Sequence, residues 1–120
     1  MQVGDLNVYK KLCDLHIEVH SLSLEFPKFE LYELGSQIRR SSNASPALIA
    51  EGFDNKHTNI YLECISRSLG EIQETMHHLN MAHRKKYITE ENLNLLLNRY
   101  TECRKMLYGL EQSLNQKHKK

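Results

Sequence analysis

The sequence predicts an all-α protein, an antiparallel up-down-up-down four-helix bundle with its second helix kinked near Pro46. Three observations carry this. Apolar residues recur at alternating spacings of three and four in four separate stretches, which puts each set on one stripe of a helix. The 120 residues include only 5 Gly and 2 Pro, too few for an all-β fold with a turn roughly every ten residues. The links between the stretches are short, so neighbouring helices run antiparallel. The expected helices cover about 5–25, 29–52, 57–86 and 89–116 of a single 1–120 domain.

The first stripe is Val8, Leu12, Leu15, Val19, Leu22 and Phe26. Pro27 ends it, because the residue before a proline is pushed out of α geometry. The second stripe is Leu31, Leu34, Ile38, Ser41, Ser45, Leu48 and Gly52. Its middle, Ser41-Ser42-Asn43-Ala44-Ser45-Pro46-Ala47, is made of small residues. Pro46 has no N–H for the carbonyl of Ser42, so the helix either kinks there or restarts with Ser45 as N-cap; the kink is favoured. Small residues admit a close helix crossing, and Ser66 and Gly70 of the third helix are the expected partners.

Gly52-Phe53-Asp54-Asn55 is a turn cluster before the third stripe of Leu62, Ile65, Leu69, Ile72, Met76 and Leu79. Thr89 suits the N-cap of the fourth helix, with Glu90 and Glu91 at the positive end of its dipole. Ile88 and Leu93 are placed to form a hydrophobic staple across that cap. The fourth stripe is Leu93, Leu96, Tyr100, Cys103, Leu107, Leu110 and Leu114, and the tail from Gln116 to Lys120 is expected to fray. Tyr9, Ile17, Tyr32, Ile49, Phe53, Tyr61, Leu95, Leu97, Met106 and Tyr108 fall off the stripes. Some widen the core; the rest leave an apolar patch suited to self-association.

Composition excludes several classes. Hydrophobic residues at 40% and charged residues at 26% are globular values. No apolar run approaches the ~18 residues of a membrane span. Met1–Leu6 carries Asp5 and has no basic patch before an apolar stretch, so no secretory leader is expected. Cys13, Cys64 and Cys103 form no C-x-x-C pair, and free thiols in a reducing cytoplasm are the expectation. The net charge of +1 gives a nucleic-acid role no help by itself.

The second helix carries a resemblance. Phe26-Pro27-Lys28-Phe29-Glu30-Leu31-Tyr32-Glu33-Leu34, then Gln37-Ile38-Arg39-Arg40-Ser41-Ser42, then Ser45-Pro46-Ala47-Leu48-Ile49-Ala50-Glu51-Gly52 resembles the 23S rRNA intervening-sequence protein family. The family pattern reads P-x-x-E-x-Y-x-L, a Q-L-R-R pair, small residues, a Pro and N-I-A-E-G. Tyr61-Leu62 and Ser68-Leu69-Gly70-Glu71-Ile72 match its second signature. Arg67 stands where Gly is common, and Leu48 where Asn is common. The resemblance implies a small bacterial four-helix bundle that assembles as a homo-pentamer. A related branch, the accessory proteins of diversity-generating retroelements, forms a similar barrel that binds nucleic acid and a reverse transcriptase, and so implies a further partner. That branch is strongly basic, unlike this chain.

Five residues are the candidate nucleic-acid contacts. Arg39 and Arg40 match the family's basic pair and lie off the core stripe. Their guanidinium groups suit bidentate phosphate contact or an ion pair with a carboxylate such as Glu51 or Glu71. Arg84, Lys85 and Lys86, after His83, form a basic last turn that the helix dipole favours, with Lys117, Lys119 and Lys120 as a basic tail. Glu74-Thr75-Met76-His77 reads E-x-x-H, but a di-metal bundle needs two such motifs. His16 and His20 are read as surface histidines. No nucleophile has a visible activating partner and there is no phosphate-cradling glycine loop. The expected protein is therefore a cytoplasmic, non-enzymatic homo-oligomer without metal or cofactor, binding RNA or DNA. The rival is a protein-interaction scaffold or a reverse-transcriptase accessory subunit without intrinsic activity.

Overall fold

Each apolar stripe becomes the buried face of a helix. A computed structural model describes residues 1–118 and contains four helices and no strand among them. They are α1 (Asn7–Ser23), α2 (Leu34–Gly52), α3 (Thr58–Arg84) and α4 (Glu90–His118). Successive helices pack on one another, and α1 also packs on α4, which closes the bundle around one core. Leu12, Leu15, Val19, Ile38, Ile65, Ile72, Leu79 and Leu107 are fully buried there. Each such side chain contributes roughly 1.5–3 kcal/mol of burial free energy. The whole measures 51 × 24 × 21 Å, which accommodates four rods laid side by side.

The links behave largely as their residues dictate. α1 tightens after Ser23 into i→i+3 turns that reach Phe26, just before Pro27. Asp54 adopts a positive φ of 52° in the turn after α2, and Asn55 donates its N–H to the Gly52 carbonyl at 3.1 Å. Thr89 caps α4, its hydroxyl accepting the Asn92 N–H at 3.1 Å. Ile88 and Leu93 on either side of that cap are both buried. No helix among the described residues is long and apolar enough to cross a membrane.

Four expectations need correction. First, α2 begins at Leu34 and not near 29, because the backbone is broken at Glu33 (φ −116°, ψ −108°). Lys28–Glu30 forms a separate 3-10 turn, which leaves Leu31 exposed. Second, α4 continues to His118, beyond the expected start of fraying at Gln116; Lys119 and Lys120 lie outside the described residues.

Third, the buried stripe of α3 is Tyr61, Ile65, Ser68, Ile72, Thr75, Leu79 and Ala82. Leu62, Leu69 and Met76 are only half-buried. Ser68 and Thr75 displace them because α2 offers polar partners. The Ser68 hydroxyl donates to the Ser45 carbonyl at 2.8 Å. The Thr75 hydroxyl lies 2.8 Å from the Ser41 hydroxyl, within hydrogen-bond distance, and 2.9 Å from the Glu71 carbonyl. Fourth, Ser66 and Gly70 do not face α2; both are exposed. The close crossing is at Gly52, where an added Cβ would come within 2.6 Å of the Cys64 Cβ.

α2 runs on through Pro46 without stopping. The proline leaves the Ser42 carbonyl without its helical donor. The Ser45 hydroxyl supplies one instead, at 3.3 Å. The run of small residues therefore does two jobs, repairing the ladder at Pro46 and bonding to α3.

Candidate functional site

The first and third links meet at one end of the bundle, as an up-down-up-down path requires. Their meeting point is Glu30, whose side chain is 1% exposed. Its carboxylate accepts from Lys85 Nζ at 3.0 Å and from the Tyr87 hydroxyl at 2.8 Å. It also takes the Leu34 N–H at 3.4 Å, at the start of α2. Phe26 and Tyr87 stack beside it with ring centroids 5.4 Å apart. The bonds from Lys85 and Tyr87 hold the Glu30 carboxyl below its usual range, against the opposing effect of burial. Lys85 gains correspondingly, its ammonium held above the usual range chiefly by the bond to Glu30.

Arg39 makes the second clamp at this end. One guanidinium nitrogen donates to Ser23 Oγ at 3.0 Å and the other to the Leu31 carbonyl at 2.6 Å. The Ser23 hydroxyl in turn donates to the His20 carbonyl. Arg39 therefore joins the end of α1, the first link and α2. Gly35 makes room for it; a Cβ there would lie 2.9 Å from Arg39 Nη1 and 2.9 Å from the Glu30 carbonyl oxygen.

The remaining candidates have no such anchor. Arg40, Arg84 and Lys86 are exposed, and no carboxylate pairs with any of them among the described residues. The ion pairs suggested between Arg39 or Arg40 and Glu51 or Glu71 are not formed among those residues. Arg40 lies close enough to His78 to disfavour its protonation. Lys86 takes a positive φ of 68° as the chain leaves α3. Between α2 and α3 at this end is a cleft of about 250 Å³ lined by Glu33, Gln37, His77, His78, Met81 and Lys85, with Glu30 at its floor. Lys117 is exposed in the last turns of α4, remote in sequence from this cluster.

Two histidines read differently in three dimensions. His16 is half-buried and its Nδ1 lies 2.8 Å from Ser42 Oγ, tying α1 to α2. Burial, then the neighbouring His20, pushes its imidazole below the usual range. The residue that turns inward is His78, just after the E-x-x-H stretch and 3.4 Å from Glu74, while His77 is exposed at the cleft wall. Burial lowers the His78 imidazole too, although Glu74 pulls the other way.

Tyr87, Ser23 and His78 do not stand out in the sequence as site residues, and Glu30 is quoted there only as the acid of the P-x-x-E-x-Y-x-L pattern, without a site role. One signal is present for Glu30: Phe26, Glu30, Leu34 and Ile38 follow at intervals of four, so a charged residue stands on a buried stripe. Such a group has to be paired.

A family model described as 23S rRNA-intervening sequence protein matches residues 4–109. No curated protein matches the chain.

Proposed function

The chain belongs to the 23S rRNA-intervening sequence protein family, and from that membership we propose that it works by binding and not by catalysis, as a homo-oligomer that engages RNA or DNA phosphates. The observation that carries this is the trio Arg40, Arg84 and Lys86, exposed and unpaired with any carboxylate among the described residues. Arg39 and Lys85 each spend some donors on internal acceptors and add those that remain. The buried thiols fit a binding role. Burial pushes Cys103 up to about 11 and raises Cys64, so neither supplies a thiolate near neutral pH.

Self-association is supported by the seam between α1 and α4. Ile17 and Leu95 remain 64% and 57% exposed beside a groove of about 420 Å³ that separates these helices. Covering it with a second copy removes apolar surface from water and repeats the basic cluster around a symmetry axis. Repetition then raises avidity when each subunit binds weakly. The resemblance implies five subunits.

Anisotropy titration of labelled ribosomal RNA fragments at two salt concentrations tests the ligand, with light scattering on the same sample for mass. Salt-sensitive binding by an oligomer is expected. A monomer, or no binding at low salt, overturns the corresponding half and leaves the protein-interaction scaffold standing.

A further inference from the structure

Phe29 and Tyr32 sit in the first link with 70% and 86% of their surface exposed. Rings of this size are normally among the larger contributors to a core. Here the backbone turns both outward. Residues 27–33 are held by i→i+3 bonds, from Glu30 to Pro27, Leu31 to Lys28 and Glu33 to Glu30. Phe29 lies in the 3-10 turn and Tyr32 three residues further along the same link, and both rings stand in solvent. Glu30, a third of a turn away, points inward and is fixed by Lys85 and Tyr87. The aromatic pair thus stands on an anchored support, not on a loose loop. Lys28 belongs to the same turn, and Arg84 and Lys86 flank the residue that holds the support in place.

Exposed π faces beside cations are how proteins hold unpaired nucleic acid without reading its sequence. We propose that Phe29 and Tyr32 are a stacking platform for a single-stranded stretch of RNA or DNA whose phosphates are met by Lys28, Arg84 and Lys86. This rests on the phosphate-binding role proposed above and narrows its ligand to strands with free bases. Paired bases offer no such face to a surface ring. The Ile17–Leu95 groove, proposed above as the surface for a second copy, is lined by α1, the turn after it and α4 and by none of residues 27–33.

The test compares a labelled oligouridine of about 12 nucleotides, a length within the usual single-strand site sizes, with an RNA duplex of equal phosphate number on the full chain. The wild type is expected to bind the oligouridine more tightly. Phe29→Ala with Tyr32→Ala weakens oligouridine binding by about tenfold or more, leaves duplex binding and the salt dependence unchanged, and keeps the urea midpoint because the rings are exposed. Phe29→Trp with Tyr32→Trp restores it. Equal binding of both strands, or oligouridine binding that ignores the alanine pair, overturns the platform alone. So does a change of oligomer mass in the alanine variant, which assigns the rings to a protein contact. No binding of either strand by the wild type overturns the phosphate role as well.

Discussion

The Tyr87 hydroxyl donates to the Glu30 carboxylate at 2.8 Å across 57 residues of sequence. One buried carboxylate thereby joins the link before α2 to the link before α4. Glu30→Ala leaves Lys85 and Tyr87 without their acceptor and is expected to lower the urea midpoint markedly with little change in slope. Tyr87→Phe alone costs less, and the two changes together cost less than their sum, because both remove the same bond. Strict additivity in the double-mutant cycle contradicts the coupling.

Two glycines are expected to respond with opposite signs. Gly52→Ala puts a Cβ 2.6 Å from the Cys64 Cβ, and overpacking of this kind costs about 1–3 kcal/mol. Gly70 lies in the interior of α3 with nothing within 4 Å of an added Cβ. Gly70→Ala therefore gains about 0.5–1 kcal/mol from helix propensity. Urea unfolding of the two variants side by side checks both signs.

Acidification should destabilise the protein in two stages. His16 and His78 have folded pKa values below the ordinary one, chiefly through burial. The unfolded chain takes up those protons first, so stability falls as the pH drops below about 6.5. Glu30 is held low, so its contribution is complete above the carboxylate range and is lost as the pH falls through its folded value. Melting temperatures recorded from neutral to acid pH should show both losses. His78→Gln should reduce the first and spare the second. An unchanged profile for that variant counts against the assignment.

Tyr100 is fully buried, and its hydroxyl has no hydrogen-bond partner among the described residues. An unsatisfied buried hydroxyl costs about 1–3 kcal/mol. Tyr100→Phe keeps the ring and removes that cost, so the urea midpoint should hold or rise. A clear fall shows that the hydroxyl has an acceptor.

The all-α fold was legible because leucine, isoleucine and valine announce a stripe wherever they repeat. Val8, Leu12, Leu15 and Val19 in α1, and Leu93, Leu96, Tyr100, Cys103 and Leu107 in α4, are buried as their spacing requires. The same rule placed Ile65, Ile72 and Leu79 of the α3 stripe correctly but missed by one residue at Leu62, Leu69 and Met76. Ser68 and Thr75 look like surface residues until the Ser45 carbonyl and the Ser41 hydroxyl are brought opposite them. Tertiary partners, absent from any local pattern, decide such positions. The basic residues show the same limit. Arg39 and Arg40 are neighbours in sequence, yet Arg39 is bound by Ser23 and Leu31 while Arg40 is exposed and has no carboxylate partner among the described residues. Lys85 likewise differs from Arg84 and Lys86 only because Glu30 arrives from 55 residues away.

The salt dependence of affinity for an RNA strand bears most directly on the phosphate role proposed for Arg40, Arg84 and Lys86. The logarithm of the binding constant should fall linearly with the logarithm of salt concentration for the wild type. Replacing Arg40, Arg84 and Lys86 together by alanine should make that line shallower by about 0.7 for each phosphate of a single strand that the protein no longer neutralises. The protein should stay folded, with at most a small loss from the α3 dipole, since none of the three makes an ion pair among the described residues. An unchanged slope in the triple variant, with binding intact, contradicts the assignment of these residues to phosphate.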